Sequence, residues 1–154
     1  MSAPAWAAAG GVAGAALMMG SLYAGRAAGV MDADFARYQG CLLLRRADAS
    51  AEAAGWAFHL GMGAVLGLGY TVVYTVSGVE PGWDTGALLG AAHGLLAGAA
   101  LPMMDAANPC VRAGTLPRYG AFARRRGVVM IAGFVAGHVL FGALVGAAYG
   151  AHRT

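Results

Sequence analysis

Two twelve-residue stretches decide the fold, HLGMGAVLGLGY at residues 59–70 and HVLFGALVGAAY at residues 138–149. Both contain the pattern His-x3-Gly-Ala-x2-Gly-x2-Tyr, and each lies inside a long apolar segment. A histidine at membrane depth is costly unless it has a partner or a function. Because the pattern occurs twice, it also indicates a duplicated structural unit, the alternative being a coincidence in a chain rich in glycine and alanine. His59 and His138 are therefore the first candidate functional residues.

The composition is that of a membrane protein, with 59% hydrophobic and 11% charged residues in 154. Four segments are long and apolar enough to approach or exceed the roughly 20 residues that cross a bilayer. We predict spans at residues 4–25, 53–76, 85–104 and 127–151. No remaining segment is long enough to bury a core of its own. The sequence therefore predicts a single transmembrane domain over residues 1–154.

The spans form two successive hairpins of the same orientation, so the predicted fold is an all-α, integral membrane four-helix bundle made of two parallel hairpin repeats. Small residues recur at spacings of four along the spans, which allows close backbone approach between membrane helices. We expect some of these faces to pack against a second copy or another protein, unless the bundle itself uses them all. The pairs are Gly10/Gly14, Gly63/Gly67, Gly90/Gly94/Gly98, Gly133/Gly137 and Gly142/Gly146/Gly150.

Arginines set the predicted topology. They concentrate in loop 1 (residues 26–52) and loop 2 (residues 105–126), whereas the short connection at 79–84 has none. The positive-inside rule places both loops in the cytoplasm and both termini, with the short connection, on the opposite side of the membrane. Cys41 and Cys110 lie in these loops, where thiols stay reduced, so we expect no structural disulfide.

The two loops differ in character. Residues 32–46 have Phe35, Tyr38 and Leu42 at helical spacing, which predicts an interfacial helix. Loop 2 contains two prolines and two glycines, and it is predicted to be irregular. The formal charge of +3 reflects topology and lipid contact, and no pattern typical of nucleic-acid binding is present.

One interpretation of the histidine patterns is a bound cofactor, either a haem or a pigment. On a helix, His59 and Gly63 share one face, as do His138 and Gly142. An imidazole beside a backbone free of side chains suits a flat ring, and the predicted repeat axis lets the two histidines face each other. The arrangement is typical of a b-type haem with His59 and His138 as axial ligands.

His93, on the third span, offers a different site. At roughly 1.5 Å per residue, His59, His93 and His138 fall within one layer of the membrane. Three imidazoles can hold a single metal ion, with a carboxylate or water completing its shell. The alternative is that each histidine is neutral and hydrogen-bonds to a neighbouring helix. Tyr70 and Tyr149 are predicted to be anchors at the membrane interface.

The chain resembles the small YagU-like bacterial inner-membrane proteins. The resemblance depends on Met31-Asp32 after a glycine-rich first span, the His-x3-Gly-x3-Gly-x2-Tyr pattern of the second, and the Gly-x2-His-Gly of the third (residues 90–94). It covers nearly the whole chain and implies a four-span fold in the inner membrane. Asn108-Pro109 stands where that family pattern has His-Pro.

The sequence favours an accessory, non-catalytic subunit of a larger inner-membrane complex, respiratory or photosynthetic. We expect bound lipid, and as partners either other subunits or further copies of the chain. The alternative function is electron transfer on a haem or metal held by the histidines. A third is a small proton-coupled transporter, which the lack of an acidic residue deep in a span disfavours. No nucleophile with a neighbouring base and no phosphate-binding loop is present.

Overall fold

The computed structural model describes residues 1–153, which form helices and contain no strand. In chain order the helices are α1 Ala3–Ala27, α2 Phe35–Leu44, α3 Ala49–Ser77, α4 Trp83–Ala107, α5 Pro109–Arg112 and α6 Val128–Gly150. α1, α3, α4 and α6 are long and apolar enough to cross a membrane. This confirms the all-α four-helix bundle. The observed helices reach a few residues beyond most of the predicted span ends.

The chain divides into two compact units, and each long helix contributes to both. Unit 1 comprises Met1–Met18, Leu60–Gly94 and the chain from Ala136 onward, whereas unit 2 comprises Met19–His59 and Leu95–Val135. The core of unit 1 contains Ala7, Ala15, Tyr70, Tyr74, Phe141, Val145 and Tyr149. The core of unit 2 contains Ala33, Tyr38, Leu101, Val111, Tyr119, Ala123 and Met130.

Glycine contacts in unit 1 repeat between the two hairpins. A Cβ on Gly63 would collide with the carbonyl of Gly11, and one on Gly142 would overlap the carbonyl of Gly86. One turn further along, Gly67 meets the carbonyl of Ala7 as Gly146 meets that of Gly82. The same contacts therefore join α1 to α3 and α4 to α6. This equivalence supports the predicted duplication. A Cβ on any glycine of the predicted pairs would meet another part of the chain within 4 Å, so the chain itself uses these pairs.

Local sequence explains where the loop helices begin. The carboxylate of Asp34 accepts a hydrogen bond from the Arg37 N–H at 3.0 Å and caps α2. Asn108 caps α5 in the same way, with Pro109 at the first helical position. Loop 2, predicted to be irregular, thus contains α5 and a further 3₁₀ segment, Ala121–Arg126.

α2 is buried more deeply than an interfacial helix. Tyr38 and Cys41 are fully buried, and a Cβ on Gly40 would overlap the carbonyl of Ala51 in α3. The helical spacing in residues 32–46 correctly predicted a helix, but one face of this helix packs against protein and not at the membrane interface. Leu43 and Leu44 remain exposed at the end of the helix.

Cys41 and Cys110 form a disulfide that joins α2 to α5, with 6.3 Å between their Cα atoms. The expectation of free thiols was therefore wrong. It came from the compartment that the arginines predict, and it took no account of the distance between the two residues. Both cysteines are buried, at 0% and 4% exposure, so the bond is shielded from solvent.

Candidate functional site

Two of the candidate histidines meet in unit 1. A Cβ on Gly90 would overlap the carbonyl of His138, and one on Gly94 would lie 2.8 Å from the His138 Cβ. These glycines allow α6 to approach α4 closely enough for the rings to touch. The ring centroids of His93 and His138 are 5.0 Å apart, and the rings are nearly perpendicular.

Tyr70 and Phe141 complete this cluster. The Tyr70 hydroxyl lies 3.4 Å from Nδ1 of His93, and the Phe141 ring packs edge-on to both residues. Tyr70 is only 7% exposed and Tyr149, which packs near Tyr74, is equally buried. The prediction that Tyr70 and Tyr149 are interface anchors was therefore wrong, because both rings lie in the protein core.

The His–Tyr cluster (Tyr70, His93 and His138) links α3, α4 and α6 through polar side chains in an apolar setting. An imidazole can donate from one nitrogen and accept at the other, and a phenol can do both. Such a group can hold helices together, and it can also pass a proton between neighbouring heteroatoms. The geometry provides the contacts that either role needs.

His59 has a different environment. It belongs to unit 2, where its Nδ1 lies 3.3 Å from Nε2 of Gln39 on α2. Among residues 1–153, no three His, Cys, Asp or Glu side chains are grouped so that they could hold a metal ion. The structure thus brings His93 and His138 together and gives His59 a glutamine neighbour.

Gly63 and Gly142 contact protein on the face where a flat ring was expected. Gly63 packs against Gly11 and Ala15 of α1, and Gly142 packs against Gly86 and Gly90 of α4. A porphyrin could lie on these glycines only if the helix pairs separated. Their role in this structure is to allow close helix packing.

A second polar cluster, which sequence reasoning missed, lies in unit 2 around Asp105. This carboxylate is 6% exposed and accepts three hydrogen bonds. The donors are the Tyr38 hydroxyl at 3.0 Å, the Tyr119 N–H at 3.1 Å and the Gly120 N–H at 2.8 Å. We call these four residues the Asp105 clasp. Asp105 thus binds the backbone of loop 2 and a phenol of loop 1.

Asn108 adds a further link to the clasp. Its fully buried side chain donates to the carbonyl of Tyr38 at 2.8 Å and accepts from the N–H groups of Cys110 and Val111. Loop 1 and loop 2 are therefore joined by a carboxylate, an amide and a disulfide. The D-x-x-N-P run at residues 105–109 was the available sequence signal, since Asn before Pro favours a cap or turn.

Both clasp phenols titrate abnormally. Burial raises the pKa of Tyr119 to about 12. The hydrogen bond that the Asp34 N–H donates to the Tyr119 oxygen at 3.0 Å acts to lower this pKa, but its effect is smaller. Burial, reinforced by the hydrogen bond to Asp105, raises the pKa of Tyr38 well above its usual range. Both tyrosines therefore stay neutral, and able to donate, to a higher pH than a free tyrosine.

Ion pairs surround a cavity of about 230 Å³ beside the clasp. Arg26 binds Asp34 at 2.8 Å, and Arg37 binds Glu52 at 2.9 Å. Because its cations face carboxylates, the cavity has no excess charge for an anionic ligand. Its lining includes Arg26, Asp32, Ala33, Asp34, Arg37, Ala47, Thr115, Leu116, Pro117 and Tyr119.

No family model, curated protein or solved structure matches the chain. The resemblance to YagU-like proteins therefore stays a prediction.

Proposed function

We propose that the chain is an accessory, non-catalytic component of a larger inner-membrane assembly, and that it binds a transmembrane helix of another subunit along one face of α3. The supporting observation is the position of two glycines in α3. A Cβ on Gly61 or Gly69 would meet no atom within 4 Å, whereas atoms of α1 occupy the space where a Cβ on Gly63 or Gly67 would lie.

These two glycines lie on an exposed face that we call the α3 outer stripe, consisting of Gly61, Val65, Gly69, Val72 and Val76. The three valines are 59%, 61% and 83% exposed. A glycine in a helix interior destabilises the helix by roughly 0.8–1 kcal/mol relative to alanine. Contact with lipid does not require a glycine at such a position. Small residues alternating with stiff β-branched ones form a surface that a second helix can approach closely.

Native mass spectrometry tests this proposal on the chain purified from its own membranes in mild detergent. We expect a species heavier than the 15.4 kDa chain by a mass that is not a multiple of the chain's own. The double variant Gly61→Ile/Gly69→Ile should lose that added mass. The matched control is Leu88→Ile/Leu96→Ile, which has the same spacing on α4 at residues 73% and 74% exposed.

Three outcomes count against the proposal. A lone monomer under every mild condition contradicts an accessory role. Masses that are whole multiples of the chain indicate a homo-oligomer. Equal loss of the partner in both double variants shows that the α3 outer stripe has no special part in binding.

We propose from the arginine distribution that loop 1 and loop 2 face the cytoplasm, with both termini in the periplasm. The exposed apolar side chains of the four long helices contact membrane lipid. The disulfide weighs against this orientation, since such bonds persist mainly in oxidising compartments. The cysteines therefore provide the test of topology described in the Discussion.

A second candidate function is proton transfer within the membrane, supported by the contacts among Tyr70, His93 and His138. In sealed vesicles containing the chain, a proton gradient should decay faster than in empty ones, and His93→Phe or His138→Phe should abolish the effect. His59→Phe is the control, because His59 lies outside the His–Tyr cluster. Gradient decay that is unchanged in all three variants, or no faster than in empty vesicles, contradicts this function.

The electron-transfer alternative, with a haem on His59 and His138 or a metal ion on the three histidines, stays a prediction. Optical spectra of the oxidised and reduced protein, together with metal analysis, test it. A colourless and metal-free preparation from native membranes contradicts it.

A further inference from the structure

The arginines of the two loops have different partners. In loop 1, Arg26, Arg37 and Arg46 each pair with a carboxylate, whereas among the described residues none pairs with Arg45. In loop 2 the only acidic residue, Asp105, is buried in its clasp. Among residues 1–153, ion pairing in loop 2 is confined to one arginine, Arg126, which binds Asp32. The loop 2 arginines without a carboxylate are Arg112, Arg118, Arg124 and Arg125.

Arg124 and Arg125 stand on a fixed turn. Phe122 and Ala123 both adopt left-handed backbone conformations, with φ of 54° and 57°, which non-glycine residues adopt only when their surroundings enforce it. The Asp105 clasp holds the backbone just before Phe122, and Ala123 is fully buried. The position of the two arginines is therefore set by the core of unit 2.

The turn also packs on one membrane span and lies just before the start of another. The Phe122 ring lies directly over Gly98 of α4, where a Cβ would overlap it. α6 begins at Val128, and its first two residues, Val128 and Val129, are 77% and 46% exposed. Exposed guanidinium groups thus immediately precede an exposed apolar surface.

We infer that Arg124 and Arg125 form a binding site for the phosphate of an anionic phospholipid. Guanidinium groups bind phosphate oxygens in bidentate fashion and need no further donor. The apolar start of α6 favours a phosphate that carries acyl chains over a free phosphate ion. Since no carboxylate pairs with either side chain, binding requires no ion pair to be broken.

The full chain in phosphatidylcholine nanodiscs doped with phosphatidylglycerol tests the site, with lipid retention measured by native mass spectrometry. We expect Arg124→Gln/Arg125→Gln to weaken retention of phosphatidylglycerol about 30-fold, since juxtamembrane arginines act additively on anionic lipid. Arg26→Gln/Arg46→Gln removes the same charge from two loop 1 arginines that already pair with Asp34 and Asp48, and should change retention less than about threefold.

Two further arms complete the test. Arg124→Lys/Arg125→Lys keeps the charge and loses the bidentate geometry, so it should restore only part of the retention. Inorganic phosphate should not displace the lipid. Equal loss in the loop 1 and loop 2 glutamine variants overturns the inference, as does unchanged retention in the loop 2 variant. Displacement by millimolar phosphate would indicate a phosphate-ion site instead of a lipid site.

Discussion

Replacing Cys41 and Cys110 with alanine should destabilise the oxidised protein by about 3 kcal/mol. The bond closes a segment of 69 residues, for which the chain-entropy relation gives about 4.4 kcal/mol at 25 °C. That segment contains α3 and α4, which remain inserted in a micelle when the bundle comes apart. The unfolded chain therefore has less freedom to lose, and the value for a short loop, about 3 kcal/mol, is the better guide.

Reversible unfolding in mixed detergent micelles measures this difference. Because both sulfur atoms are buried, reductant should act on the wild type only under unfolding conditions. After reduction, the free energy of unfolding of the wild type should fall to that of Cys41→Ala/Cys110→Ala. The variant itself should not respond to reductant, which makes it the internal control.

Two results would refute the reasoning. If oxidised wild type and variant agree within about 0.5 kcal/mol, the bond does not limit the unfolded ensemble. If the variant responds to reductant as strongly as the wild type, the stability change has another source.

Three further predictions concern pH, packing and topology. Stability should fall as pH rises from about 10 to about 12, because Tyr119 ionises at a lower pH in the unfolded chain than in the folded one. Tyr119→Phe should not show the part of this loss that Tyr119 causes, at most about 3 kcal/mol. Unfolding measured as a function of pH checks this. Gly63→Val should destabilise the chain by at least about 2 kcal/mol because of its contact with α1, whereas Gly61→Ala should not, as thermal unfolding of both variants checks. Alkylation of acid-quenched cells tests the topology: thiols trapped at Cys41 and Cys110 would support loops 1 and 2 in the cytoplasm, whereas recovery of the disulfide of the structure, fully oxidised, would reverse the proposed orientation.

The sequence predicted those features that depend on a single helix. Span number follows from hydropathy, and the packing role of Gly63 and Gly142 follows from spacing along one helix face. The partner of each glycine does not follow in this way, because it depends on which helices become neighbours. For this reason Gly61, which is not part of a four-residue glycine pair, was overlooked while the glycines packed inside the chain were noticed.

Long-range pairing explains the remaining errors. Tyr38 and Asp105 are separated by 67 residues, as the Cys41–Cys110 pair is by 69. No local pattern links residues so far apart, and compartment reasoning about cysteines contains no information on distance. The rise of a helix per residue predicted that three histidines lie at one depth in the membrane. Depth alone does not determine the direction in which a side chain points around its helix.

The duplicated hairpins have diverged at the histidines, and the glycine contacts show how. In these contacts, Gly86 and Gly82 of the second hairpin take the places of Gly11 and Ala7 of the first. The same offset along the sequence makes Gly94 correspond to Met19, and His93 to Met18. In the second hairpin, Gly94 lets the His138 ring reach His93. The corresponding positions in the first hairpin carry two methionines, and His59 has Gln39 beside it. An imidazole pair is therefore a property of one repeat only, which favours a specific role for His93 and His138 over a symmetric site shared with His59.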